Sequence, residues 1–474
     1  MVLKVLAVAS EAYPLVKTGG LADAVGALPA ALAAEGVSVT TLLPGYRTLR
    51  EGFARARVAM ELPDLFGAPA RILAKQSVLV LDAPHLFDRP GGPYVAPGGG
   101  EWSDNAIRFA ALGRAAALLA QSLGVDAVHA HDWQAGLVPA YLRFAPRRIP
   151  CLFTIHNLAY QGKFPAAVFP ALGLPATAFA REGLEYYGAV GFLKAGLWFA
   201  DAINTVSPSY ADEILTPEGG MGLDGLLRGR ARELHGILNG LDTLDWNPQT
   251  DAALAATFSA EDPAPRTANK AALQARFGLK VDPAVPLVAF VGRLAWQKGA
   301  DLLLDAAHVL MDQGAQLALL GSGEAPIEHA CRGFAAAHAG RAGAFIGFDE
   351  ALARLVYGGA DMLVVPSRFE PCGLAQLAAL RYGAVPVVAR TGGLGDTVID
   401  ASPMALAARC ATGVQVAPGR ADALAAGLRR ALTLFRDADT WRTIQANGLA
   451  TDVSWGPSAG RYAALLKGLA AQHG

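Results

Sequence analysis

The stretch Val364-Val365-Pro366-Ser367-Arg368-Phe369-Glu370-Pro371-Cys372-Gly373-Leu374 decides how the chain is read. Residues 362–365 are an apolar run that predicts a buried strand; Pro366 stops it, and the apolar-rich residues 373–382 predict a helix. Glu370 therefore stands in a strand-to-helix loop, followed by the backbone amides of Cys372, Gly373 and Leu374. In open α/β sheets such loops lie at the carboxyl ends of the strands, where ligands bind, and a helix N-terminus there attracts anions. A carboxylate beside an anion site suits a ligand that is part sugar and part phosphate: Glu370 accepts from hydroxyls and the amides hold the charged end. The alternative is a solvated capping glutamate.

The same alternation of β-rich and Ala/Leu-rich segments runs on both sides of this loop, the pattern of parallel sheets covered by helices. In the first half, strands are expected near 2–9, 38–43, 77–81, 127–130, 151–155, 202–206 and 236–238, with helices between most of them, such as 21–34 and 105–123. Residues 241–268 are rich in Asp, Pro, Thr and Asn and read as a linker. Strands resume near 287–291, 316–320, 344–346, 362–365, 385–388 and 413–416. The fold class is thus α/β, with two doubly wound domains facing a central cleft. Residues 457–472 fall outside the second rhythm and are expected to pack back on the first domain.

With 474 residues, 53% apolar and 17% charged, the chain is large enough for two cores. A net charge of −1 lacks the basic footprint of a nucleic-acid binder, which leaves small molecules or a neutral polymer as partners. Cys151, Cys331, Cys372 and Cys410 lie far apart without a C-x-x-C pair, which argues against a zinc ribbon or a secreted disulfide scaffold and for a reducing cytosol. The apolar N-terminus is short and meets Glu11 at once, so it reads as a strand, not a signal peptide; no membrane helix is expected.

Thr18-Gly19-Gly20-Leu21-Ala22-Asp23-Ala24-Val25 recurs as Thr391-Gly392-Gly393-Leu394-Gly395-Asp396-Thr397-Val398, each copy opening a helix. Paired glycines there let a backbone approach a ligand closely, and Lys17 before the first copy is placed to meet phosphate. An exposed lysine and a chance match of Gly-rich turns are the bland alternatives. His129-Ala130-His131-Asp132-Trp133 ends a predicted strand. His-x-His invites a metal, but no third ligand stands nearby, so metal is not expected. Asp132 is either a sugar-hydroxyl acceptor or a helix N-cap. His156-Asn157 ends the next strand and leads into the aromatic, polar Tyr160-Gln161-Gly162. Arg293 and Lys298 bracket the loop after the first strand of the second half, where a diphosphate would meet two cations and a helix dipole. The lone D-x-D, Asp437-Ala438-Asp439, lies in a helical region, so phosphate neutralisation falls to Arg293, Lys298 and amides instead of Mg²⁺.

Taken together, Lys17-Thr18-Gly19-Gly20-Leu21-Ala22-Asp23, His131-Asp132-Trp133, the 156–162 stretch, Leu238-Asn239-Gly240, Gln297-Lys298-Gly299, the 366–374 stretch and Arg390-Thr391-Gly392-Gly393-Leu394 make the chain resemble bacterial glycogen synthases and plant starch synthases over its length. The resemblance implies the GT-B arrangement of two Rossmann-like domains, with the first (1–245) on the acceptor side, the second (246–456) carrying the nucleotide sugar, and a returning helix at 457–474. It implies transfer of glucose from ADP-glucose to the non-reducing end of an α-1,4-glucan such as glycogen, with retention and without cofactor or metal. Glu370, His156, Asp132, Arg293 and Lys298 are the implied catalytic set. Lys17, Gly19, Gly20, Asp23, Tyr94, Asn157, Asn239, Cys372, Gly373, Leu374, Thr391 and Gly392 are the implied substrate contacts. Many retaining GT-B enzymes carry a second glutamate eight positions after the first, where this chain has Ala378. Rival readings are a UDP-glucose transferase, a pyridoxal-phosphate glucan phosphorylase, a silent glucan-binding protein and a nicotinamide oxidoreductase, the last lacking a G-x-G-x-x-G.

Overall fold

A computed structural model describes residues 2–473. The chain divides into two compact units: residues 1–239 with 455–474, and residues 240–454. The expected boundaries fell after 245 and after 456.

The first unit is built on a nine-stranded sheet. Its middle is parallel: Leu3–Val8 pairs with Val37–Pro44 on one side and with Ala127–His131 on the other, followed outward by Cys151–Ile155 and Ala202–Thr205. These strands are almost wholly buried, as apolar runs covered by helices on both faces must be. Two strands were not expected, Arg57–Leu62 and Ala70–Lys75, which extend the far edge antiparallel. A small antiparallel sheet of Lys163–Pro165, Ala189–Gly191 and Glu185–Tyr186 was also unforeseen. The strand expected near 236–238 is Leu234–Gly236 instead.

The returning helix Gly456–His473 packs on the first unit, against the helix Gly20–Ala34 and the strands Ala127–His131 and Cys151–Ile155. Trp455, Tyr462, Ala463, Leu466 and Leu469 join Val5, Leu28 and Leu32 in one buried cluster. Each buried leucine or valine of the cluster contributes roughly 1.5–3 kcal/mol.

The second unit carries six parallel strands in the order Ala342–Ile346, Gln316–Gly321, Leu287–Val291, Met362–Val365, Val385–Ala389, Val414–Val416. Residues 241–268 are not the separate linker their composition predicts. Leu241, Leu254 and Phe258 lie in the second unit's core, and the helix Arg266–Arg276 begins inside the stretch. Asp251 accepts from the Tyr382 hydroxyl and pairs with Arg354, which also holds Asp245 and Glu350. Polar residues here make buried and partly buried ion pairs instead of a solvated tether, a use that composition does not reveal.

Candidate active site

In the first unit the loop from the strand Leu3–Val8 to the helix Gly20–Ala34 is tied by Glu11, only 2% exposed. Its carboxylate accepts from the backbone amide of Thr18, from the Thr18 hydroxyl at 2.7 Å, and from the Tyr94 phenol. Ser10 and Tyr94 share a hydroxyl contact of 2.7 Å. Burial, and then the Glu11 charge, hold the Tyr94 phenol well above its ordinary range. Lys17 reaches Asp23 at 2.7 Å and lies over the Tyr13 ring. Gly19 and Gly20 are exposed, and a side chain at Gly19 would meet open space, so the fold itself does not require glycine there.

Asp132, at the end of the strand Ala127–His131, holds φ at 57°, a left-handed conformation costing roughly 1–3 kcal/mol in a non-glycine residue. In exchange its Oδ1 accepts from the amides of His156 at 2.7 Å and Asn157 at 3.4 Å, fixing the end of the neighbouring strand. Its side chain makes no helix cap, which removes the N-cap alternative. Burial pushes its carboxyl up to about 7, against the pull of those two amides. His131 Nδ1 and His156 Nε2 stand 3.0 Å apart, so one donates and the other accepts, and the His129 ring lies tilted against His131 with centroids 3.9 Å apart. Burial pushes His129 and His156 down to about 3 and His131 well below its usual range, so all three imidazoles are neutral near pH 7. Among the described residues, no group of three or more His, Cys, Asp or Glu side chains is arranged to hold a metal ion. Tyr94 and Trp133, ring centroids 6.4 Å apart, join the two halves of this patch.

In the second unit three loops meet. Lys298, in the short 3-10 turn Trp296–Lys298, places its Nζ 2.6 Å from Glu370 Oε2, and Ser367 donates to the same oxygen at 2.9 Å. Gln297 bonds the Phe369 carbonyl, and the Arg368 amide bonds the Gln297 carbonyl. Arg293 is exposed on the same loop as Lys298. The helix begins at Ala375, two residues later than expected, so Cys372, Gly373 and Leu374 form the turn before it. Gln376 stitches that turn to the next: its Nε2 donates to the carbonyls of Cys372 and Gly373 and to Thr397 Oγ1. A Cβ on Gly392 would stand 2.0 Å from the Glu370 carbonyl oxygen, and one on Gly393 would stand 2.3 Å from that of Cys372. The glycines of the second echo are therefore demanded by their own neighbouring loop, whereas Gly19 in the first is not. The two copies share a sequence for different physical reasons.

A family model described as starch synthase catalytic domain matches residues 4–229, and one described as glycosyl transferases group 1 matches residues 273–443. A glycogen synthase of Acidiphilium cryptum is 57% identical, with 98% of this chain and 99% of that one covered. The chain belongs to the glycogen synthase family. Another member, from Rhodopseudomonas palustris strain CGA009, is 56% identical over 99% of each chain. The catalytic domain of Starch Synthase IV from Arabidopsis thaliana, solved bound to ADP and acarbose, superposes with a TM-score of 0.86 at 32% identity, covering 99% of both chains. These are GT-B glycosyltransferases with two Rossmann-like domains.

In this glycogen synthase family member, the residues singled out from sequence fall into two groups. Lys17, Gly19, Gly20, Asp23, Tyr94, Asp132, His156 and Asn157 lie in the first unit's patch; Arg293, Lys298, Glu370, Cys372, Gly373, Leu374, Thr391 and Gly392 lie on the second unit's three loops. Asn239, the last residue of the first unit, is buried with its Oδ1 unpartnered, and it is not drawn into either group. Sequence reasoning passed over Glu11, Ser367 and Gln376, which hold the candidate residues in place. A carboxylate directly after a buried strand was the available signal for Glu11, and Ser367 sits inside the quoted stretch itself.

Proposed function

We propose that the chain is a retaining glucosyltransferase that moves glucose from ADP-glucose to the non-reducing 4-hydroxyl of an α-1,4-glucan, elongating glycogen in the cytoplasm. The observation that carries the reading is the Lys298–Glu370 pair, a cation for a diphosphate and a carboxylate for a hexose one hydrogen bond apart, with Arg293 exposed on the same loop as Lys298. The ADP and acarbose held by the Arabidopsis relative support the same substrate classes.

In this mechanism Arg293 and Lys298 draw off the charge that builds on the leaving diphosphate, a form of stabilisation worth roughly 3 kcal/mol or more per donor. Glu370 orients the hexose by its hydroxyls, and Lys17 adds a further cation for the donor. A neutral His156 exchanges hydrogen bonds with hydroxyls without adding charge, and its backbone is pinned by Asp132. No nucleophile is assigned to the far face of the sugar. The acceptor hydroxyl attacks from the side the diphosphate leaves, and the departing phosphate takes its proton. No cofactor or metal is invoked. The test is release of labelled nucleotide from ADP-glucose and from UDP-glucose on soluble glycogen, with EDTA present. Turnover with ADP-glucose that survives chelation is the expected result. A requirement for divalent metal, or release of glucose 1-phosphate with inorganic phosphate, would overturn the reading.

A further inference from the structure

The Lys298–Glu370 pair poses a conflict within the proposed site. The same ammonium is needed by the diphosphate and the same carboxylate by the sugar, yet here they satisfy each other. Both hydrogen bonds to the Glu370 carboxylate, from Lys298 Nζ at 2.6 Å and Ser367 Oγ at 2.9 Å, fall on Oε2. The partners differ in freedom. Ser367 is fully buried, the Glu370 side chain is 8% exposed, and Lys298 is 23% exposed on a long flexible stem. The loops beneath are locked: Gly299 backs onto the Pro366 carbonyl so closely that a Cβ there would stand 2.2 Å from its oxygen, and the Arg368 amide bonds the Gln297 carbonyl. The lysine end, longer and more exposed, is the end of the pair that can leave without moving the backbone.

We propose that this ion pair is a resting state which the donor's diphosphate exchanges. Lys298 leaves Glu370 for the phosphates, whose greater negative charge outbids a single carboxylate, and Ser367 alone then keeps Glu370 aimed and uncompensated for the hexose hydroxyls. Ser367 is thus a positioning residue. Until a diphosphate arrives the carboxylate stays charge-compensated by Lys298, so free glucose and short glucans occupy the donor subsite only weakly. The inference rests on the donor reading above and adds an order of events to it.

The test is calorimetric binding of ADP to the full chain and to Glu370→Gln, Lys298→Met and the double variant. Without the carboxylate, Lys298 is released in advance, so Glu370→Gln binds ADP roughly tenfold more tightly while losing glucosyl transfer. The gain disappears in the Lys298→Met background, which separates release of the lysine from simple relief of repulsion between Glu370 and the phosphates. Ser367→Ala lowers kcat with ADP affinity held within about twofold. Unchanged or weaker ADP binding by Glu370→Gln, or a gain that persists without Lys298, overturns the exchange. Wild-type protein that binds no ADP overturns the donor reading itself.

Discussion

Replacing Asp132 by Asn separates what the fold gains from this residue from what the site needs. Burial raises the carboxyl from 3.8 to about 7. A group whose folded pKa is raised binds its proton more readily in the native state, so it lowers stability progressively as pH climbs from the unfolded value to the folded one. Each unit is worth about 1.36 kcal/mol, so between pH 5.5 and pH 8.5 the charged form costs the native state about 2 kcal/mol. Asn keeps an oxygen to accept from the amides of His156 and Asn157 and never ionises. Its stability advantage over wild type should therefore widen by about 2 kcal/mol across that interval, whatever constant offset the swap brings. His129 and His156, pushed down to about 3, stay neutral throughout and leave the comparison clean. Urea melts of both proteins at the two pH values measure it directly. Parallel stability curves would refute the claim that Asp132 is held in a site that resists its charge. Glucosyl transfer by the same variant should fall, since a burial this costly has no structural benefit that Asn cannot match.

Arg293→Ala and Lys298→Ala should each lower kcat/KM for ADP-glucose by about two orders of magnitude or more, and wild-type-like turnover would remove that residue from the diphosphate clamp. Gly392→Ala forces a methyl to within 2.0 Å of the Glu370 carbonyl oxygen at a φ of 43°, so it should shift the Glu370 loop and cut activity while the first unit's melting is unchanged. Leu466→Ala opens a hole in the cluster under the returning helix and should cost about 2–5 kcal/mol of unfolding free energy, read by chemical denaturation.

Regular elements were legible where burial on both faces imposes an unbroken apolar run. The strands Leu287–Val291 and Met362–Val365 and the helix Asn105–Leu123 coincide with their expected bounds, the helix ending at Gly124 with φ at 62° as a left-handed cap requires. The strands Arg57–Leu62 and Ala70–Lys75 escaped because they extend the end of the sheet antiparallel and stay partly exposed, so neither carries the unbroken apolar run of a strand buried on both faces. At the candidate site, the residues proposed to touch a ligand were singled out by their place after a strand. Those that hold them did not: Glu11 reaches Tyr94 and Gln376 reaches Thr397 across distances in sequence that no local pattern records. The polar 241–268 stretch misled for a related reason, since Asp251 and Asp245 look like loop residues until Arg354 is seen between them.

The return of the helix Gly456–His473 to the unit formed by residues 1–239 sets an order on biosynthesis. A ribosome making this chain completes the second unit's whole sequence before it makes the segment that covers Val5, Leu28 and Leu32. Until then the nascent first unit presents a greasy face to water, while the unit translated later has everything it requires to mature ahead of it. Shortening the time between those two events, or supplying the helix in trans as a peptide, should raise the yield of native protein.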